Sequence, residues 1–363
     1  MATLLSSPTT MSITAPGTSA LATLARNMPA GSWARLSAGS QNAVLGVGSI
    51  SGTMIHYCNS MPWNTIARCI EIVAMDHGWG RLRYARYMEA TNEFSLVSGD
   101  IGFGSFTQHG YDHNVVNPHT GDLYHRRIES VGGSSLTVAR KAINSVSSFV
   151  DLPSVSTNYA QIAIGATWWS GSFAGAGAQG CLVVFNSGDS FGRSTDGQIV
   201  AYDPLANRWF MNKLGMAPNY MTSGSTYHSV IEYSAGRNVA VYGGGNDATR
   251  RLWRLNADGS MTPMPDVPAG KGVGMQQGIF TSDPVTGNFL LLSAGQLWEL
   301  NPTGAGSWTQ LTGSRTPPSG VGVPGPGGSP DGVIASAIPE YGVVAYITQT
   351  SQTGGTFFLY KHA

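Results

Sequence analysis

The chain has few charged residues and carries no net charge. Only 11% of its residues are Asp, Glu, Lys or Arg, and 20 basic residues balance 20 acidic ones. Proteins that bind nucleic acid or an anionic membrane surface usually present a basic patch to the phosphates. The basic residues of this chain are scattered, and their densest cluster is Arg81–Arg86. We therefore expect neither nucleic acid nor a membrane as a partner.

Cysteines and long apolar runs are also scarce. Cys58, Cys69 and Cys181 are odd in number and match no metal-binding spacing, so three buried thiols are expected rather than a disulfide framework. No apolar run approaches the roughly 18 residues of a membrane-spanning helix. The first 30 residues lack the basic stretch and apolar core of a signal peptide. They are Ser/Thr-rich and predict an extended arm, with a short helix near Ser19–Arg26, that anchors the protein to a partner.

Glycine and proline, by contrast, are abundant. The chain contains 48 Gly and 19 Pro, and 42% of its residues are hydrophobic. Many turn formers between short apolar segments are typical of strands joined by tight turns. This composition predicts an all-β protein with a large buried core.

A short apolar segment, often of the form W-x-x-L, recurs about every 50–60 residues. The copies are GSWARL (31–36), NEFSLV (92–97), SSFVDL (147–152), NRWFMNKL (207–214), GSMTPM (259–264) and GSWTQL (306–311). Each of the later copies follows a hairpin and a third strand, as in HSVIEYSAGRNVAVYGGG (228–245) with RLWRLNADGSM (251–261). Four strands per unit with tight turns between them predict the blades of a β-propeller.

Three segments carry a resemblance to a known family. YDPLANRW (202–209), LNPTGAGSW (300–308) and the strand end VAVYGGGND (239–247) resemble kelch repeats of galactose-oxidase-like propellers. The resemblance implies a propeller, and the six hairpins of the sequence predict six blades, with seven as the alternative. GSWARL has no hairpin before it, so we expect this N-terminal strand to complete the last blade and close the ring. The predicted domains are therefore an arm, 1–30, and a propeller, 31–363.

The segment QHGYDHNVVNPHTGDLYHRR (108–127) contains four of the eight histidines. Aligned with HSVIEYSAG (228–236), it places His113 and His228 at the same position of an inner strand. His119 then lies in a turn and His125 within a strand. His109, Tyr111 and His113 are the candidates for ligand binding, although the alternative is that they only support the inner loops.

Aromatic residues near strand ends extend this candidate site. They are Trp79, Tyr111, Trp168, Trp169 and Tyr220, and the candidate site also includes Tyr227 beside His228. Flat aromatic faces beside Asp, Asn and His side chains are typical of sugar-binding surfaces, so we predict a tentative glycan site. The alternative is that the aromatic residues form the core between blades.

Tyr227-His228-Ser229 also resembles a copper-ligand segment of radical-copper oxidases. Those enzymes need a second tyrosine cross-linked to cysteine, and no motif supports Cys181 and Tyr220 in that role. No pair among the 20 acidic residues has a spacing that selects it for glycoside hydrolysis. We therefore expect no metal, no cofactor and no catalytic residue.

The composition, the free cysteines and the N-terminal arm resemble propeller proteins of tailed bacteriophages. This resemblance implies a non-enzymatic structural or recognition protein of the virion, made in the host cytoplasm. Residues 1–30 would join it to other virion proteins, and the propeller would bind host-surface glycan. The alternative is a carbohydrate-active enzyme or a copper-radical oxidase. The Pro/Gly-rich segment 314–332 predicts a long loop between the last two blades.

Overall fold

The fold is described from a computed structural model. It covers residues 17–47, 53–59, 61–75, 82–103, 109–127, 135–145, 148–156, 165–177, 179–187, 197–214, 228–245, 250–274, 277–321 and 332–363. This part of the chain is almost entirely β-structure. No helix within it is long and apolar enough to cross a membrane.

The elements follow one another along the chain in regular groups. The first group is α1 (Ala20–Asn27), β1 (Ser32–Arg35), α2 (Gln41–Leu45), β2 (Trp63–Asn64), β3 (Cys69–Ala74), β4 (Arg83–Met88) and β5 (Glu93–Ser98). The second is β6 (Val115–Val116), β7 (Leu123–Arg127), β8 (Ser135–Lys141), β9 (Val150–Asp151), β10 (Val155–Ser156), β11 (Gly165–Trp169), β12 (Cys181–Ser187), β13 (Gly197–Asp203) and β14 (Arg208–Leu214). The third is β15 (Val230–Ser234), β16 (Val239–Gly243), β17 (Leu252–Leu255), β18 (Met261–Pro263), β19 (Ile279–Ser282), β20 (Phe289–Ser293), β21 (Gln296–Asn301) and β22 (Ser307–Leu311). The last is β23 (Val333–Ile338), β24 (Val343–Gln349) and β25 (Gly355–Lys361), with 3-10 helices at Gly313–Arg315 and Pro339–Tyr341.

These strands form six antiparallel sheets, which are the blades of a β-propeller. Blades 1 to 5 are β2–β5, β6–β10, β11–β14, β15–β18 and β19–β22. Blade 6 has the order β1-β25-β24-β23. The six-bladed prediction is therefore confirmed, and the seven-bladed alternative is wrong. The inner strands are β2, β6, β11, β15, β19 and β23.

The ring is closed by the N-terminal strand, as predicted. β1 pairs with β25 in antiparallel register, with Trp33 opposite Tyr360. The Trp33 ring lies 5.1 Å from that of Tyr346 and 4.7 Å from that of Tyr360, and its Nε1 donates to the carbonyl of Arg315 at 3.0 Å. Pairing of β1 covers the edge that β25 would otherwise expose.

The indole bond of Trp33 belongs to a repeated contact between neighbouring blades. Trp209 on β14 donates its Nε1 to the carbonyl of Pro153, which follows the outer strand of blade 2. Trp308 on β22 likewise donates to the carbonyl of Pro265, just after blade 4. In each case an outer-strand tryptophan is bonded to the preceding blade. This contact accounts for the tryptophan in three of the six recurring segments.

The core lies in six layers, one at each seam between neighbouring blades. In β3, Ile70 and Ile72 face blade 6, whereas Val73 faces blade 2. Successive side chains of a strand point to opposite faces of its sheet. Both faces of a blade are therefore covered, and each seam is filled mainly by apolar side chains.

Residues 17–30 form part of the folded unit. In α1, Leu21, Ala22 and Ala25 are fully buried, and the helix packs in the seam between blades 6 and 1. The Ser19 side chain caps α1 by accepting from the amide of Ala22 at 3.0 Å, and Lys361 Nζ donates to the Ala25 carbonyl. The short helix predicted near Ser19–Arg26 is thus present as α1, and it is packed against the propeller. Residues 1–16, and 322–331 of the predicted loop, lie outside the described residues.

One glycine shows why blade 4 needs its Gly-Gly-Gly sequence. Gly244 has φ of +74°, and a Cβ at this position would overlap the carbonyl of Val273. L-residues with a side chain rarely adopt this conformation. The close approach lets the end of β16 pass beside the segment that leads into blade 5.

Candidate functional site

The six inner strands surround the axis of the ring and run in the same direction. We call the end where they begin the N face and the end where they finish the C face. The histidine candidates lie at the N face, since His113 precedes β6 and His228 precedes β15 with the same spacing. The predicted equivalence of these two histidines is therefore found in the structure.

Five of the eight histidines meet at the N face in one chain of ring contacts. This His/Tyr cluster consists of His56, Tyr57, His109, Tyr111, His113, His125 and His228. Neighbouring ring centroids are 4.3 Å apart for Tyr57 and His109 and 4.9 Å for Tyr111 and His113. The ring of His228 lies 5.5 Å from that of Tyr111. Apart from Tyr57, which is half-buried, these side chains are buried.

The cluster is built on an unusual backbone. Tyr57, Tyr111 and His228 have φ values of 57°, 44° and 72°. Residues other than glycine seldom occupy this left-handed region, and such strain persists only where the surroundings enforce it. Parallel bridges join Cys58 to Tyr111 and Asp112 to Gly165, so the backbones of blades 1, 2 and 3 are tied together here.

Two side chains connect blades that are not neighbours. The Asp112 carboxylate of blade 2 accepts a hydrogen bond from the Ile231 amide of blade 4 at 2.7 Å, so it connects the two blades on either side of blade 3. Asn59 similarly reaches from blade 1 to the backbone of Phe280 in blade 5. These contacts tie opposite parts of the ring together at the N face. They indicate a structural role for the polar residues that surround the histidines.

The histidines with a described hydrogen bond are bonded to nearby protein groups. His109 Nδ1 lies 2.9 Å from the Met75 carbonyl, and His125 Nδ1 lies 3.0 Å from Asn114 Oδ1. Burial lowers the pKa of His125 to about 3, so its ring is neutral at neutral pH. Within the described ranges, no three His, Cys, Asp or Glu residues are arranged to hold a metal ion.

Of the residues named for the copper alternative, only Cys181, His228 and Ser229 lie within the described part of the chain. Cys181 lies in the apolar seam with Trp169, and burial raises the pKa of its thiol to about 12. His119 is exposed in its turn, as expected, and His125 is buried in β7. Trp79, Tyr220 and Tyr227 fall outside the described residues.

Trp168 and Trp169 do not form the solvent-facing stacking surface that the sequence suggested. Trp169 is fully buried between Phe173 and Tyr233, with ring centroids at 4.7 and 4.8 Å. Trp168 is 6% exposed and packs 5.7 Å from the ring of Tyr124. Adjacent side chains of β11 point to opposite seams, which separates the two indoles. Trp169 is therefore part of the core between blades, as the alternative prediction stated.

The C face has a feature that the sequence did not reveal: a cavity of about 260 Å³ on the axis. Residues of all six inner strands line it, and turn residues such as Gly236 and Pro339 lie at its rim. Polar lining comes from Asn114, Thr167, Glu232, Thr281, Ser282, Asp283 and Ser336, and aromatic lining from Trp63, Trp168 and Tyr233. Clefts that mix aromatic surface with a few directed polar groups are typical ligand sites.

Glu232 is the central ionisable group of this cavity. Its Oε1 accepts from the amide and hydroxyl of Ser282, both at 3.0 Å, and from the hydroxyl of Thr281 at 3.4 Å. Burial raises the pKa of Glu232 to about 7, although these hydrogen bonds oppose the shift. Glu232 is absent from the residues predicted from the sequence; the signal that could have found it is an acidic residue inside the inner strand Val230–Ser234, between Ile231 and Tyr233.

Comparisons with known proteins support the fold. No protein-family model and no curated protein matches the chain. Among solved structures, an auxiliary nutrient binding protein from Bacteroides ovatus has a TM-score of 0.51 at 12% identity, with 90% of this chain and 76% of that chain covered. A protein of unknown function from Bacteroides thetaiotaomicron has a TM-score of 0.51 at 10% identity, with 90% and 75% covered. At these identities the likeness shows the propeller fold alone.

Proposed function

We propose that this chain is a non-enzymatic recognition propeller that binds part of a glycan in its axial cavity. The observation that carries the proposal is the cavity at the C face, which all six inner strands line. Six blades packed at apolar seams hold its walls in fixed positions. A rigid site loses little conformational entropy when it binds a ligand.

The lining favours a hydroxylated ligand. Thr167 and Ser336 offer hydroxyl groups around the axis, and Tyr233 and Trp168 contribute aromatic surface. Sugars combine hydroxyl groups with apolar ring faces, so both kinds of lining have a counterpart on the ligand. A binding role also agrees with the name of the Bacteroides ovatus neighbour, which is described as nutrient binding.

We further propose that the propeller is part of a virion, to which residues 1–30 attach it. The kelch-like repeats and the phage-like composition of the sequence support this assignment. The anchored helix α1 supports it as well, because Ser19 donates to Glu89 and Tyr341 bonds to the same carboxylate. A partner bound to residues 1–16 would therefore be connected through α1 to blades 1 and 6.

A blocking variant tests the binding site. Ala337 lies half-buried in the cavity lining, so Ala337→Trp should fill the mouth and abolish binding on a glycan array. Val285→Trp is the matched control, because Val285 is 54% exposed in the β19–β20 turn and is not part of the lining. Equal glycan binding by both variants would contradict a site in the cavity.

Two further measurements test the anchoring role of the N-terminal residues and the non-enzymatic assignment. A chain that lacks residues 1–16 should fold with an unchanged melting temperature and fail to join particles during assembly. Its normal incorporation would refute the anchoring role. Metal analysis addresses the enzymatic alternative: one tightly bound copper per chain, with a tyrosyl-radical absorption band, would overturn the non-enzymatic assignment.

A further inference from the structure

The charged residues that line the axial cavity are all acidic. They are Glu232 and Asp283, and the described lining includes no Lys, Arg or His. Arg68 lies 5.5 Å from the ring of the lining residue Trp63, and its charge is balanced by ion pairs with two glutamates. A bound cation would therefore meet two carboxyl groups and no positive charge among the described lining residues.

Both carboxyl groups keep an acceptor oxygen for a ligand. All described hydrogen bonds to Glu232 go to Oε1, which leaves Oε2 as an acceptor. Asp283 is 1% exposed, and its Oδ2 accepts from the amide and hydroxyl of Thr286. Its buried Oδ1 receives no hydrogen bond from the described residues. A buried acceptor without a donor is costly, and a ligand that donates would remove this cost.

We propose that the cavity selects glycans with a free primary amine, whose ammonium group binds Glu232. This inference deepens the proposed function and rests on it, since it names the sugar class for the same cavity. An ammonium group donates up to three hydrogen bonds, enough for Glu232 and other acceptors at once. The aromatic surfaces of Trp168 and Tyr233 can add attraction between a cation and a ring.

An ammonium group suits the site better than a metal ion. Hard divalent cations need about six oxygen ligands in a closed arrangement. Within the described ranges, no group of three candidate ligands is arranged to bind a metal. The apolar side chains of Val115 and Ala335 between the polar groups suit the carbon atoms of an organic ligand.

Binding should depend on pH through Glu232. The titratable and charged groups on the elements around it are Tyr233 on its own strand, Tyr242 on β16, Arg237 in the β15–β16 turn, Asp283 after β19, and Asp112, which is bonded to the adjacent Ile231; β11 contributes none. With a folded pKa of about 7, the carboxyl group is ionised above pH 7 and protonated below it. Affinity for an ammonium ligand should therefore fall by up to tenfold per pH unit below about 7. It should fall again at alkaline pH, as the ligand amine loses its proton.

The decisive experiment compares three sugars that differ at one position. Titration calorimetry at pH 7 should detect glucosamine, and the affinities for N-acetylglucosamine and glucose should be at least about tenfold weaker. A similar affinity for all three sugars would overturn the inference. Binding of Ca²⁺ or Mg²⁺ that displaces glucosamine would also overturn it, in favour of a metal site.

A conservative variant assigns the effect to one group. Glu232→Gln keeps an oxygen for the Ser282 amide and removes the charge, so it should bind glucosamine at least about tenfold more weakly and without the acidic limb of the pH profile. Glu93→Gln is the control, because Glu93 is exposed on the outer strand β5. An unchanged pH profile in Glu232→Gln would refute the role of Glu232.

The outcomes separate this inference from the proposed function. If glucosamine fails to bind while the glycan array shows cavity-dependent binding, only the preference for amines is wrong. If the array is also negative, the proposed function fails as well. The pH profile of the unaltered protein tests the inference even if Glu232→Gln fails to fold.

Discussion

Replacing Trp33 with alanine should loosen the propeller at blade 6, the blade built from both ends of the chain. The change removes one indole hydrogen bond to Arg315, worth about 1 kcal/mol, and two aromatic pairs, worth about 0.5–1.5 kcal/mol each. The free energy of unfolding should therefore fall by about 2–4 kcal/mol. With an unfolding entropy of about 2.1 cal/mol/K per residue, the melting temperature of a cooperative 363-residue unit should fall by about 3–5 °C.

Trp209→Ala is the matched control. Trp209 makes the same kind of interblade bond, to Pro153, and one aromatic pair, with Tyr202. Its strand β14 is continuous with the rest of blade 3, so its loss cannot open the ring. We expect a decrease of about 1.5–2.5 kcal/mol for this variant.

Hydrogen exchange distinguishes the two variants better than overall stability does. In Trp33→Ala, the amides of β1 and β25 should exchange faster, because β1 can detach without unfolding the other blades. The exposed edge of β25 should also promote association at high protein concentration. In Trp209→Ala, faster exchange should be confined to blade 3. Equal protection of β25 in both variants would refute the role of Trp33 in ring closure.

Two other predictions concern the backbone and the thiols. In chemical denaturation, Gly244→Ala should lower the free energy of unfolding much more than Gly270→Ala. Both glycines have positive φ, but only Gly244 lies against the Val273 carbonyl. Similar decreases for the two variants would show that this close approach is unimportant. Cys58, Cys69 and Cys181 are free and buried, and burial raises the pKa of each thiol, so a thiol reagent should label them only after unfolding. Rapid labelling of the native protein would contradict this burial.

The repeat could be predicted because it depends on local signals. Turn residues such as Asp203 accept hydrogen bonds from amides two and three residues ahead, and a recurring apolar anchor, tryptophan in three of the six copies, marks the outer strand. The absence of a hairpin before GSWARL was sufficient to place β1 in blade 6. These features lie within short segments, so one sequence reveals them.

The candidate site was harder to predict because it depends on contacts distant in sequence. The alternation of side chains along β11 could have shown that Trp168 and Trp169 lie in different seams. Which seam each one enters can be known only when the neighbouring blades are known. Glu232 becomes a cavity residue only when β19 of the next blade supplies Ser282. The bond between Asp112 and Ile231 likewise crosses the ring and has no signal in either segment alone.

The pairing of β1 with β25 also affects the order in which the protein folds. Blades 1 to 5 each consist of consecutive strands, so each can form soon after its own segment leaves the ribosome. Blade 6 requires strands from opposite ends of the chain, and such distant contacts form slowly. Until they form, blades 1 and 5 each lack a neighbour, and the walls of the axial cavity are incomplete. Ligand binding should therefore appear only in the last step of folding, which makes it a sensitive measure of ring closure.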